Sequence, residues 1–292
     1  MSAHASAGAP AGIVPLLDPP PRRTGDPEGG AAARLARQAV RYAATLDTGD
    51  LQALTVRLYC YGRLPLTPAW ARRLPDHAAV AEHLGVGRGG ALATAMEPHW
   101  RLSGDPAAPD GWLSWARRST PPAPAEGRSC KLYLSPRPEA LREAFAALAA
   151  VLADSDATAF KVGRDAHGVL RPDKLVAYFP SPDGLRGAAA ELAARLAGVP
   201  AHGVAFTAPL TPDALLSWGA DPPPAPGAAP ESWRMWVATR LARAIVRARG
   251  EARRAEVPAR ALEILHREHG VSPDRWEPPA RWHPAGGAPD RS

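Results

Sequence analysis

Lysine and arginine both carry positive charge, but only lysine gives up its proton readily enough to serve as a base. The 35 basic residues of this 292-residue chain divide into three lysines and 32 arginines. The lysines are Lys131 in SCKLYLSPRP, Lys161 in FKVGRD and Lys174 in LRPDKLVAYF, all within 44 residues. Where charge alone is wanted this chain uses arginine, so its lysines mark positions where an amine itself is wanted. The competing reading, three solvated surface amines, suits an ordinary composition better than this one. Ammonium groups crowded on one surface repel each other unless an anion sits among them, and the crowding eases loss of a proton from one of them. Phosphate is a suitable anion, because lysine offers point charge and arginine a two-pronged donor.

The elements that would position these amines are legible between residues 129 and 210. KLYLS reads as a strand. PEALREAFAALAAVLAD reads as an amphipathic helix with Leu141, Phe145, Leu148 and Leu152 on one stripe. AFKVGR is a strand, DAHGVLRPD a turn-rich connection and KLVAYF a third strand. DGLRGAAAELAARLAG is a helix stopped by Gly198, and HGVAFTAPL a fourth strand. The order predicts an α+β fold: an antiparallel-rich β-α-β-β-α-β core with both helices on one sheet face. Strand side chains alternate between faces. Leu132, Leu134, Phe160, Val162, Leu175, Ala177 and Phe179 therefore face the helices. Lys131, Tyr133, Lys161, Lys174 and Tyr178 share the opposite face, expected to be uncovered, with Arg164 and Arg171 in the flanking turn.

Around this core (129–222) the sequence predicts a disordered segment over 1–30 and a mainly helical region over 31–128. A proline-rich linker over 223–232, C-terminal helices over 233–270 and a tail over 271–292 complete the chain. Trp100, Trp112 and Trp115 read as plugs of a small core rather than as a peptide groove. The arginine-rich helix beginning near residue 233 reads as a solvated basic face, and GVGRGGA (85–91) as a turn.

The net charge of +6 is spread along the chain without a dense basic run, which argues against a nucleic-acid partner. No apolar run approaches the roughly 20 residues of a membrane span. Cys60 and Cys130 lack metal-ligand spacing, so no metal site is expected. The N-terminus lacks the order of a signal peptide, and the protein is expected to be cytoplasmic.

Over about 85 residues, the ordered motifs KLYLS, FKV, Arg171 and KLVAYFP resemble the phosphoserine/phosphothreonine lyase family. That family includes the lyase domain of class III and IV lanthipeptide synthetases and the HopA-type effector-like proteins of lanthipeptide and thioamitide clusters. The resemblance implies β-elimination of phosphate from a phosphorylated Ser or Thr of a precursor peptide, giving dehydroamino acids. It implies no metal or organic cofactor. It also implies a separate kinase-like protein to supply the phosphate and a cyclase to use the product. By position it makes Lys161 the base, Lys131 its catalytic companion, and Arg171 and Lys174 phosphate ligands, with Arg164 beside them. Tyr133 stands where the family has a histidine acid, and its hydroxyl is expected to fall below its usual pKa of about 10 beside the lysines. Tyr178 and His202 are further candidates for the site. The alternative is a non-catalytic relative that binds a phosphopeptide or the kinase.

Overall fold

The computed structural model describes residues 30–103, 111–119, 129–223, 231–279 and 282. Residues 1–29 of the segment expected to be disordered, and most of the linker and tail residues, lie outside these. Five helices come first: α1 (Ala31–Thr45), α2 (Leu51–Tyr59), α3 (Pro68–Arg73), α4 (His77–Leu84) and α5 (Ala91–Met96). Strands β1 (Trp100–Ser103), β2 (Trp112–Arg117) and β3 (Cys130–Leu134) follow, then α6 (Leu141–Ala153), β4 (Ala159–Gly163), α7 (Ala166–Val169), β5 (Leu175–Phe179) and α8 (Pro182–Arg195). The chain continues through β6 (Ala208–Pro209), β7 (Leu216–Ala220), α9 (Trp233–Glu251) and α10 (Val257–His269).

The expected α+β class and antiparallel sheet are present, but the sheet has seven strands in the order β1-β2-β4-β5-β3-β7-β6. Two of them come from the region expected to be helical. β2 pairs antiparallel with β4, setting Ser114 against Lys161. The expected fourth strand over 202–210 is also corrected. Only Ala208–Pro209 is extended there, and the strand beside β3 is β7, which sets Gly219 against Lys131. Gly203 and Phe206 both have positive φ, a backbone state that interrupts a strand.

Helices α6 and α8 cover one sheet face. Leu141, Phe145, Leu148 and Leu152 of α6 and Leu185 and Leu192 of α8 pack in one core with Leu132, Phe160, Leu175 and Phe179. Trp115 stacks on Phe160 at 5.1 Å and Trp100 meets it edge-on at 4.8 Å, so these two tryptophans plug the core as read. The register places Trp112 on the other face, beside the amines.

That other face is not open. Val204 packs against Tyr133 and Val176. Trp233 of α9 lies so close to β7 that a Cβ on Gly219 would fall 2.6 Å from its ring. Behind it, α1, α2, α9 and α10 build a second core around Leu54, Leu58, Trp236, Leu241 and Leu265. The two helical regions at the ends of the chain meet here, which is why neither forms an independent layer. No described helix is long and apolar enough to cross a membrane.

Candidate active site

Antiparallel register brings residues distant in sequence onto one patch. Lys131 sits opposite Tyr178, Lys161 opposite Val176, and Ala159 opposite Tyr178. The Tyr178 ring therefore lies between two amines, with Lys131 Nζ 5.4 Å and Lys161 Nζ 5.8 Å from its centroid. On the far side of Lys161 stands Trp112, its centroid 4.2 Å from Nζ. The Arg171 guanidinium lies 4.9 Å from the same indole. Lys131, Lys161 and Arg171 thus converge around two aromatic rings, whose faces attract cations.

Carboxylates hold two of these cations in place. Lys131 is paired with Asp221, which also accepts the backbone N–H of Trp233 at 2.8 Å, so the start of α9 fixes the amine. Arg171 grips Asp173 through Nε and Nη2, both at 2.9 Å. Asp173 is buried and accepts a second guanidinium, Arg234 Nη1, at 2.6 Å. Arg234 also donates to the Tyr59 carbonyl at 2.8 Å, and Arg171 Nη2 donates to the Tyr59 hydroxyl at 3.1 Å. Burial alone would raise the Asp173 pKa, but Arg234 and Arg171 hold it well below the usual carboxylate range.

Lys174 does not join this group. It is fully buried and donates to the Pro136 carbonyl and to His202 Nδ1, both at 2.9 Å. Its amine is engaged inside the protein rather than offered to a phosphate, and burial lowers its pKa to about 7. Arg164 is anchored through its backbone N–H to the Gly111 carbonyl at 3.1 Å.

Tyr133 shares the face with Lys131 but is 3% exposed. Burial raises its pKa well above the ordinary value, with Asp221 adding to the effect. The expected fall is corrected: loss of hydration outweighs the nearby positive charge, and the phenol keeps its proton. Tyr178 is raised for the same first reason.

His202 receives Lys174 on Nδ1 and donates Nε2–H to the Gly62 carbonyl at 2.6 Å, a pairing that requires the neutral ring. Burial, with the Lys174 charge, lowers its pKa to about 4. In the unfolded chain it titrates near 6.5. Between these values the unfolded chain binds more protons, so the contribution is intact above 6.5 and is lost as pH falls toward 4. Urea denaturation across this window is expected to show His202→Gln losing about 2–3 kcal/mol less than the parent protein.

Sequence reasoning missed Trp112, Tyr59, Asp173, Asp221 and Arg234 as parts of the site. Asp173 carried a signal, as the one acid in the basic run LRPDK. Among the described residues no group of three His, Cys, Asp or Glu side chains is placed to hold a metal ion.

Solved effector proteins and phosphothreonine lyases are similar to this chain. An effector protein from Pseudomonas syringae pv. syringae is 14% identical with a TM-score of 0.46, the match covering 84% of this chain and 98% of that one. The phosphothreonine lyase effector VirA (SpvC) of Chromobacterium violaceum is 19% identical with a TM-score of 0.35, over 58% of this chain and 84% of that one. The phosphothreonine lyase OspF of Shigella flexneri is 13% identical with a TM-score of 0.35, over 46% and 80%. No family model matches the chain, and the search of curated proteins found no match.

Proposed function

We propose that the protein is a lyase that eliminates phosphate from phosphoserine or phosphothreonine of a peptide. The observation that carries this reading is the convergence of Lys131, Lys161 and Arg171 around the Trp112 and Tyr178 rings. In its neutral form Lys161 Nζ takes the α-proton. The electron pair becomes the Cα=Cβ bond and the Cβ–O bond breaks. Arg171 and Lys131 neutralise the charge that gathers on the phosphate. Left unprotonated, the departing group would be the strongly basic trianion, so the bridging oxygen needs a proton as the bond breaks, and Tyr133 is the side chain assigned to supply it, against the cost of its burial. Lys174, expected to bind phosphate, instead braces the loop that carries His202.

The finer reading follows the sequence motifs: a phosphorylated precursor of the lanthipeptide type, in the cytoplasm. A separate kinase-like protein supplies the phosphate and a cyclase uses the dehydro product. The burial of Tyr133 favours one alternative, a non-catalytic binder of the phosphopeptide or the kinase. Mass spectrometry of a phosphothreonine peptide incubated with the protein decides between them. Elimination leaves the peptide one water lighter than its unphosphorylated form. Binding without this loss would overturn the lyase reading.

A further inference from the structure

Among the described residues, large apolar side chains left exposed gather in one stretch. Tyr42, Leu51, Val56 and Leu66 are at least 40% exposed, and Leu102 alone lies elsewhere. Tyr42 and Val56 line a groove of about 440 Å³ between α1, α2 and the turn after α2, together with Cys60 and Tyr61. The Tyr42 and Tyr61 rings lie 5.9 Å apart. The charged residues lining the groove are Arg57 and Arg63, with no acid among its walls. Exposed apolar side chains beside cations, with no acid among the lining residues, suit the docking of an apolar, acidic chain.

The groove is set against the cation cluster. At the end of α2, between Val56 and Cys60, the Tyr59 side chain turns inward to Arg171 and Arg234. Gly62, in the groove wall, accepts His202 on its carbonyl. Leu64 N–H bonds the Leu170 carbonyl at 3.0 Å, next to Arg171. The segment from residue 59 to 64 is therefore a shared wall, with the groove on one side and the cations on the other.

We infer that this groove holds a flank of the peptide substrate in which apolar residues alternate with Asp or Glu, while the phosphorylated residue lies at Lys161. The inference rests on the lyase reading for the identity of the occupant, but its docking is measured separately from chemistry. Cys60 is a built-in reporter, because it lines the groove and is half-buried. The other cysteine, Cys130, is fully buried and its thiol is pushed up to about 12 by burial, so it stays unreactive.

The test uses the full chain and short synthetic peptides of Leu and Glu, with matched peptides carrying Gln in place of Glu, each with and without a phosphothreonine. The acidic peptides are expected to slow alkylation of Cys60 by N-ethylmaleimide, with or without phosphate, and the Gln peptides to leave it unchanged. Arg57→Glu combined with Arg63→Glu is expected to abolish the protection. For the acidic phosphopeptide it is expected to raise KM about tenfold at unchanged kcat. Equal protection by both peptide sets, or protection surviving the charge reversal, would overturn the inference. So would alkylation that slows as the protein's own concentration rises without peptide, which would assign the groove to a second copy. Protection by acidic peptides without elimination of phosphate would leave the groove standing and remove the lyase reading.

Discussion

Replacing Lys161 by alanine is expected to lower phosphate elimination from a phosphothreonine peptide by about 10²–10⁴-fold. The expected cause is loss of the base that the lyase reading assigns to Lys161. Arg171 is a guanidinium, which stays charged, and Lys131 is held by the Asp221 carboxylate. Lys161→Arg separates chemistry from charge. It keeps a cation against Trp112 and so keeps phosphopeptide affinity, but an arginine does not become a base near neutral pH, and turnover is expected to fall as far as in the alanine variant. Single-turnover mass spectrometry reads the chemical step, and fluorescence anisotropy of the labelled phosphopeptide reads affinity. Circular dichroism checks that both variants keep the fold. Turnover retained by the arginine variant would end the assignment of Lys161 as base.

The core around the lysines was legible because strand and helix periods there are clean. Leu132 and Leu134 against Lys131 and Tyr133, and Phe160 and Val162 against Lys161, fix which face meets the helices, and the structure keeps that division. What covers the opposite face was not legible. It is set by Trp233, Val204 and Tyr59, which reach the sheet from far along the chain. Alternation says which side chains share a face and nothing about what else packs there. The same limit governed Tyr133: the lysines on its face predicted a fall in pKa, and burial, with Asp221 adding to it, reverses the sign.

Arginine composition misled in a related way. With 32 arginines in the chain, those of the helix expected near residue 233 read as a solvated face, and Arg247 of α9 and Arg253 and Arg260 beyond its end do make exposed pairs. Arg234 does not. It is 1% exposed and spans three elements, bonding Asp173, the Ala205 carbonyl and the Tyr59 carbonyl. It ties the C-terminal helix to the turn that carries Arg171. The C-terminal region therefore belongs to the site's architecture.

Asp173 is the residue on which that architecture depends most. Two guanidiniums share its carboxylate, and it is only 4% exposed. Replacing both partners of a buried ion pair with apolar groups can be neutral, but removing one partner strands the other's charge and costs about 3–5 kcal/mol. Asp173→Asn keeps the shape and removes the charge, leaving Arg171 and Arg234 facing each other. The variant is expected to lose that amount in urea denaturation and to melt roughly 10 °C lower. Adding Arg234→Met to it is expected to recover part of the loss, because one of the stranded charges is then gone. The carboxylate is held below its ordinary 3.8, so its contribution is present above that value and is lost as pH falls beneath it. The parent protein should therefore lose stability below pH 3.8 in a way that Asp173→Asn does not. On the lyase reading, the Arg171 fork in this variant is expected to lose its alignment against Trp112, and phosphopeptide binding to weaken along with stability. A loss of less than about 1 kcal/mol in Asp173→Asn would show that the two arginines do not depend on this carboxylate.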